Sequence, residues 1–363
     1  MDTQELRALL TDGPFVSVHF DESHDTEDAA KQLRLRLKEI EAALEDQGAD
    51  RASVEAVLRT VEESTPPVGK AGRTIVAAHG TVLLDRRLAA PPPAQEARFS
   101  ELPYFLPTVS HLDETPAHLV VLVDRTGADI EVHRPDGSVE TETVHGQEHP
   151  VHKVRGGGPA HRDIQSHAEQ TAHNNLAEVA DHVAKTAERV RPRAIVLAGE
   201  VQARTELRER LPEPARSLAA EVDAGSRASG AGRDELDRAV HELLTGQRLR
   251  ELDDLADRFR AQAGRDSALA VSGLSAVTAA LAEANVATLL VGDSGEASVY
   301  AGSEPAQVGV AQSRLDALGV QDPARRRADE ALPYAALAVG ADVVVMDERL
   351  DLTDGFGALL RHP

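Results

Sequence analysis

The stretch whose reading decides the fold is Val151–His182, VHKVRGGGPAHRDIQSHAEQTAHNNLAEVADH. Gly156, Gly157 and Gly158, closed by Pro159, exclude a helix or strand interior. Glycine loses too much backbone freedom there, and proline lacks the amide donor. An exposed, mobile loop is expected. From Ile164 onward, Ile164, Ala168, Ala172, Leu176, Val179 and Val183 recur at spacings of three and four, which predicts a helix with one buried face. The pattern describes a flexible tip on a rigid stem.

Before the loop, His118–Val123, Ala128–Arg134 and Ser138–His145 read as three strands of a meander, separated by the turn dipeptides Thr126-Gly127 and Asp136-Gly137. After the stem come an apolar strand, Ala194–Ala198, a helix, Val201–Arg210, and a short strand near Leu218–Val222. Antiparallel strands followed by alternating helix and strand predict a mixed sheet with helices packed on it. The apolar-poor run Gly225–Gly230 marks a boundary, so this domain is placed at residues 114–230.

Residues 1–113 read as an α+β domain. A short helix, Asp2–Leu10, leads into Pro14–Phe20, which alternates as a half-buried strand should. Helices are expected over Ala29–Gln47 and Arg51–Glu63, the second stopped by Thr65-Pro66-Pro67. Arg73–Ala78 and Thr81–Arg87 form a hairpin around His79-Gly80. Pro91-Pro92-Pro93 stiffens the exit, and Leu102–Pro107 reads as an extended connector. Residues 231–363 open with a helix, Glu235–Gln262, broken or kinked near Gly246. Helices at Ser272–Glu283 and Ala328–Val339 alternate with strands at Val286–Val291, Ala297–Tyr300 and Asp342–Met346, which predicts an α/β/α sandwich.

The 363 residues carry a net charge of -22 and no cysteine or tryptophan. Disulfides and thiolate zinc sites are excluded, and the absence of cysteine agrees with a reducing cytosol. The acidic N-terminus is neither a signal nor a transit peptide, and no apolar run approaches about 18 residues, so a cytoplasmic protein without membrane contact is expected. The acidic balance argues against a general nucleic-acid binder, DNA included, and makes any RNA contact local.

Gly292-Asp293-Ser294-Gly295 lacks a following lysine and a full GxGxxG, which leaves it an ordinary turn and implies no nucleotide cofactor. His145, His149, His152, His161, His167, His173 and His182 crowd one segment. On the helix the spacings are six (His167 to His173) and nine (His173 to His182), which miss the i, i+4 arrangement of metal-binding helices and favour a solvated or RNA-facing set over a metal site. No GxSxG elbow accompanies the serines. The loop itself, with Lys153, Arg155, Gly156, Gly157, Gly158, Pro159, His161 and Arg162, offers amides and cations with little bulk and suits a crowded polyanionic cavity. A surface hairpin with no partner is the plain alternative.

Several long stretches carry a family resemblance: GPFVSVHFDESHDT, PPVGKAGR, LPYFLP, VDRTGAD, PVHK, AEVADHV, AGEVQARTEL, VATLLVGDSGEASVY, RADEALPYAALAVGA and GFGALLRH. Along essentially its whole length the chain resembles the bacterial branch of the archaeal-eukaryotic peptide-chain release factors, specifically the actinobacterial relatives of the ribosome hibernation factor Balon. The resemblance implies a three-domain α/β architecture: a decoding-centre-directed domain, a central domain reaching toward the peptidyl-transferase centre, and a C-terminal domain similar to the L7Ae fold. In release factors the central loop ends in Gly-Gly-Gln. Here Gly156 and Gly157 are followed by Gly158 and Pro159, and the nearest downstream glutamine is Gln165. The resemblance therefore implies a non-enzymatic factor that occupies the vacant A site of the 70S ribosome, touching 16S and 23S rRNA, with elongation factor Tu as partner. A rescue factor that hydrolyses peptidyl-tRNA is the alternative. His19, Asp21 and His24 lie in the best-matching N-terminal stretch and are candidate decoding-centre contacts; packing within their own domain explains them equally well.

Overall fold

The computed structural model describes residues 6–114, 116–146, 159–225, 232–263, 269–317 and 319–363, with the side chains of 112–114 and 159–169 outside the description. The chain divides into two compact units, one formed by Met1–Asp113 together with Arg248–Pro363, the other by Glu114–Gln247.

The N-terminal part of the first unit contains β1 (Phe15–Asp21), α1 (Ala29–Asp46), α2 (Arg51–Glu62), β2 (Gly72–Ala78), β3 (Thr81–Leu88), β4 (Glu96–Ser100) and α3 (Leu106–Glu114). The sheet order is β3-β2-β1-β4, antiparallel throughout. The β2–β3 hairpin turns at His79 and Gly80, both at positive φ (51° and 75°), which is the primed turn that matches strand twist. Strand β1 is central, and Phe15 through Phe20 are all buried, so it is covered on both faces rather than half-exposed. On one side Val16, Val18 and Phe20 meet Ile40 and Leu44 of α1 and Val54, Val57 and Val61 of α2. The expected connector at Leu102–Pro107 is instead an anchor that starts a helix. Tyr104 and Phe105 are buried, and Pro107, second in α3, needs no amide donor there.

The second unit contains β5 (His118–Asp124), β6 (Gly127–His133), β7 (Val139–His145), α4 (Pro159–Val190), β8 (Ala194–Gly199), α5 (Val201–Arg210), α6 (Glu213–Leu218) and β9 (Ala219–Glu221). Its sheet order is β7-β6-β5-β8-β9, antiparallel on the β7 side and parallel on the β9 side. Leu176, Val179 and Val183 of α4 pack with Leu119, Val121 and Ile130 from one face of the sheet, as the helical spacing requires. On the other face Val120 and Val196 pack with Leu236 and Val240 of α7 (Arg233–Ala263). That packing carries the unit to Gln247, past the boundary expected at residue 230. Helix α7 also runs through Gly246 unbroken; one glycine costs a helix only about 1 kcal/mol relative to alanine.

The C-terminal part of the first unit holds β10 (Ala270–Ser272), α8 (Leu274–Ala282), β11 (Val286–Val291), β12 (Ser298–Ala301), β13 (Val308–Gly309), α9 (Gln312–Ala317), β14 (Ala324–Arg327), α10 (Ala328–Ala338), β15 (Asp342–Val345) and β16 (Phe356–Leu360). Its strands form two sheets, β10-β16-β11-β15 and β13-β12-β14. The class is mixed α/β, as expected, but the strand content is divided rather than gathered in one sandwich. Leu6, Leu9, Phe15 and Phe105 share one apolar core with Val277, Leu281, Ala331, Leu332 and Phe356, so the two ends of the chain build a common interior. No helix among the described residues is long and apolar enough to cross a membrane.

Arg73 on β2 is buried and spends its five N–H donors within the unit. Nη1 donates to Glu22 Oε1 (2.7 Å) and Ser64 Oγ (2.7 Å), Nε and Nη2 to Asp85 (both 2.8 Å), and Nη2 also to the Thr60 carbonyl (3.3 Å). Glu22, 1% exposed, also accepts from Arg87. Removing Arg73 leaves Glu22 buried with its principal cation gone. We predict that Arg73→Ala lowers unfolding stability by roughly 3–5 kcal/mol in urea titration; a loss under about 1 kcal/mol, as for an exposed pair, would show that the network is not buried in solution.

Candidate functional site

The glycine-rich segment lies in sequence between β7 and α4, the last described residue before it being Gly146 and the first after it Pro159. Asp124 Oδ1 accepts from Thr126 N (2.7 Å), Thr126 Oγ1 (2.7 Å) and Gly127 N (3.1 Å), closing the β5–β6 turn. Gly127 has φ 152°, and an added Cβ would sit 2.1 Å from the Val144 carbonyl oxygen, so only glycine fits. Gly146 N donates to the Thr126 carbonyl (2.8 Å). Asn175 of α4, 3% exposed, donates through Nδ2 to the Arg125 carbonyl (3.1 Å), with Gly146 flush against its amide. One turn thus fastens both the strand that enters the loop and the helix that leaves it.

A second fastening lies along the stem. Glu142 of β7 accepts from Thr186 (3.1 Å), pairs with His182 (2.6 Å) and meets Arg189. Burial opposes its charge, but His182, Thr186 and Arg189 together hold its carboxyl below the usual range. His173 pairs likewise with Glu206 of α5 (2.8 Å), which Arg210 also contacts. His173 and His182 therefore serve as helix-to-neighbour contacts, a role that neither the solvated nor the metal reading contained. No group of three or more His, Asp and Glu among the described residues could hold a metal ion.

Of the residues proposed for the tip, Lys153, Arg155, Gly156, Gly157 and Gly158 lie outside the described residues, as do His149 and His152. Pro159, His161 and Arg162 were expected in the loop and belong instead to α4, which begins at Pro159 rather than near Ile164. Proline suits the first helical position because its amide would have no partner there and its φ is already helical. Gln165 is likewise a residue of α4.

The N-terminal candidates separate. His19 is fully buried, so it is not a surface contact. Its Nε2 lies 3.0 Å from the Tyr104 carbonyl, which only accepts, so Nε2 carries the proton; Nδ1 then accepts from Thr74 Oγ1 at 2.9 Å. The ring stands edge-on to Tyr104 at 5.5 Å. Burial pushes its pKa down to about 4, against the raising effect of the Tyr104 carbonyl. Asp21, at the end of the same strand, is half-buried, accepts from Ser23 N (2.8 Å) and pairs with Arg36 (3.2 Å). His24 is half-buried in an isolated bridge to Gly69.

One polar cluster escaped sequence reading. Arg98 of β4 lies 3.4 Å from the centroid of the Tyr104 ring. Its Nε donates to Glu96 (2.8 Å), and its Nη1 to Asp329 (3.0 Å) and Glu330 (3.3 Å) of α10. Glu330, 2% exposed, also accepts from Ser100 Oγ at 2.6 Å. Burial opposes the charge on Arg98, yet Asp329 keeps the guanidinium above its usual value. Burial raises the Glu330 carboxyl, with Ser100 and Arg98 pulling it back. The signal was the Arg325-Arg326-Arg327 run followed, past Ala328, by Asp329-Glu330 in the first turn of an apolar helix, where charges must be paired if the helix is buried.

The family model for bacterial archaeo-eukaryotic release factor family 2 matches residues 117–265. The uncharacterized protein Rv2629 of Mycobacterium tuberculosis strain H37Rv is 36% identical over 364 residues, covering 100% of this chain and 97% of its own length. Among solved structures, Archaeoglobus fulgidus Pelota is 16% identical, with 100% of this chain and 92% of that one covered and a TM-score of 0.36. An archaeal translation termination factor is also 16% identical, with 99% and 98% covered and a TM-score of 0.27.

The His19 geometry generates a pH prediction. A group whose folded pKa is depressed contributes stability that is present above its unfolded value and is lost as pH falls toward the folded one. Between pH 6.5 and 4 the wild type should therefore lose roughly 3 kcal/mol more stability than His19→Gln, read from urea midpoints across that range. Parallel profiles for the two proteins would contradict a neutral, buried imidazole.

Proposed function

The chain belongs to the bacterial archaeo-eukaryotic release factor family, and from that premise we propose that it is a ribosome-binding hibernation factor that does not hydrolyse peptidyl-tRNA. It fills the vacant A site of the 70S ribosome, reaching 16S rRNA at the decoding centre and 23S rRNA at the peptidyl-transferase centre, delivered or accompanied by elongation factor Tu. The single observation that carries this reading is the loop sequence. Gly156-Gly157 is followed by Gly158-Pro159 and not by glutamine, and α4 begins at Pro159, so Gln165 is a residue of the stem. Hydrolysis needs a group that positions the attacking water at the tip. Lys153 and Arg155 keep the cations that suit rRNA.

The fastened base supports the same reading. A loop inserted into a crowded cavity gains from a stem whose entry and exit are fixed, because less freedom is lost on binding. Here the β5–β6 turn, Asn175 and Glu142 supply that fixation. The overall negative charge of -22 then confines rRNA contacts to local basic segments such as Lys153 and Arg155.

Two measurements test the proposal. The protein should co-sediment with 70S ribosomes lacking an A-site tRNA, and it should release no peptide above background from stalled ribosome-nascent-chain complexes. Gly158→Gln, which restores the Gly-Gly-Gln order, should bind equally well. Release by the wild type would establish the hydrolytic alternative, and failure to associate with ribosomes at all would remove both.

A further inference from the structure

Within the first unit, a cleft of about 520 Å³ lies beside β4 and β14, and its lining includes four arginines, Arg98, Arg325, Arg326 and Arg327, against two carboxylates, Glu101 and Glu330. In a chain with a net charge of -22 this is a local reversal of sign. The volume falls within the range of small-molecule clefts, roughly 300–1,000 Å³.

The four guanidinium groups do not have equal roles. Arg98 is committed to Glu96, Asp329 and Glu330, and Arg327 to Asp329 through Nε (3.0 Å) and Nη2 (2.9 Å). These two form a fixed wall whose charge is largely answered from within. Arg325 is different: only its Nε is engaged, by Ser298 Oγ at 2.7 Å, which orients the group and leaves the terminal nitrogens as donors. Arg326 makes no hydrogen bond or ion pair among the described residues, although it is half-buried. Consecutive on β14, Arg325 and Arg326 leave opposite faces of the strand, but β14 is a sheet edge and both residues line the cleft beside it, where guanidinium groups offer a phosphate ester paired N–H donors.

The other wall indicates the rest of the ligand. Phe99 on β4 lines the cleft and is partly exposed, with the rest of its ring packed against the core of Val16 and Val18. Strand β4 is a sheet edge, which could in principle receive an added peptide strand. Gln47 pre-empts that use: its Nε2 donates to the Ala97 carbonyl (2.9 Å), and its Oε1 accepts from Phe99 N (2.9 Å). With the edge backbone already satisfied there, the wall presents side chains, an aromatic ring among them, in place of a ladder.

We propose that this cleft binds a small phosphate-bearing ligand of mononucleotide size, its phosphate held by Arg325 and Arg326 and its ring set against Phe99. Isothermal titration of the full-length chain with inorganic pyrophosphate, adenosine 5′-monophosphate and a short oligouridylate tests this. Both small probes should bind saturably, one per chain. Arg325→Ala and Arg326→Ala should each weaken both by about ten-fold or more, as expected for the loss of a charge-assisted pair. Phe99→Ala should weaken the nucleotide and leave pyrophosphate unchanged. Arg134→Ala, an exposed cation of the other unit, should change neither. Thermal unfolding equal to wild type establishes that the arginine variants are folded. The proposal is overturned if neither small probe binds, if the double variant Arg325→Ala/Arg326→Ala binds as the wild type does, or if only the oligouridylate binds. None of these outcomes depends on ribosome association.

Discussion

Arg98 is the point on which the first unit depends. It sits on β4, at the edge of the N-terminal sheet, and reaches Asp329, 231 positions away in sequence, and Glu330 beside it on α10. Burying such charges is unfavourable unless each is answered, and the geometry answers them: two carboxylates, a third from Glu96, and the face of Tyr104 beneath the guanidinium. The pairing fixes how the N-terminal sheet meets α10, and the apolar contacts around Phe15, Phe105, Leu332 and Phe356 close into one core beside it. Residues 1–113 and 248–363 thus fold as one body, with residues 114–247 inserted between them in sequence.

That arrangement explains which parts of the fold were legible in the sequence. The β2–β3 hairpin, the β5–β6–β7 meander and helix α5 rest on local signals: a two-residue turn, a Thr-Gly or Asp-Gly dipeptide, an apolar spacing. Elements whose formation depends on distant partners were not legible. Strand β4 exists because β1 accepts it and Gln47 caps it, and β16 exists because it fits between β10 and β11. Tyr104 and Phe105 looked like part of a proline-rich connector because the groups they pack with lie far away in the chain.

His19 shows the same limit at the level of a site. A histidine alternating with apolar residues on a strand reads alike whether it faces solvent or a buried acceptor. Its partners, Thr74 and the Tyr104 carbonyl, are 55 and 85 residues away. The glycine loop differs, because its meaning lies in its composition. Three glycines and a proline where the family's catalytic order calls for glutamine can be read directly. The structure adds the fastened base and a stem that begins at Pro159.

The central claim is that the chain occupies a ribosomal site without performing chemistry there. Hydroxyl-radical footprinting of rRNA on vacant 70S ribosomes tests it most directly. The account predicts protection at the A-site side of both the decoding centre in 16S rRNA and the peptidyl-transferase centre in 23S rRNA, with the second lost when Gly156, Gly157 and Gly158 are replaced by leucine. Protection confined to sites outside the A site, or a peptidyl-transferase footprint that survives those replacements, would contradict it.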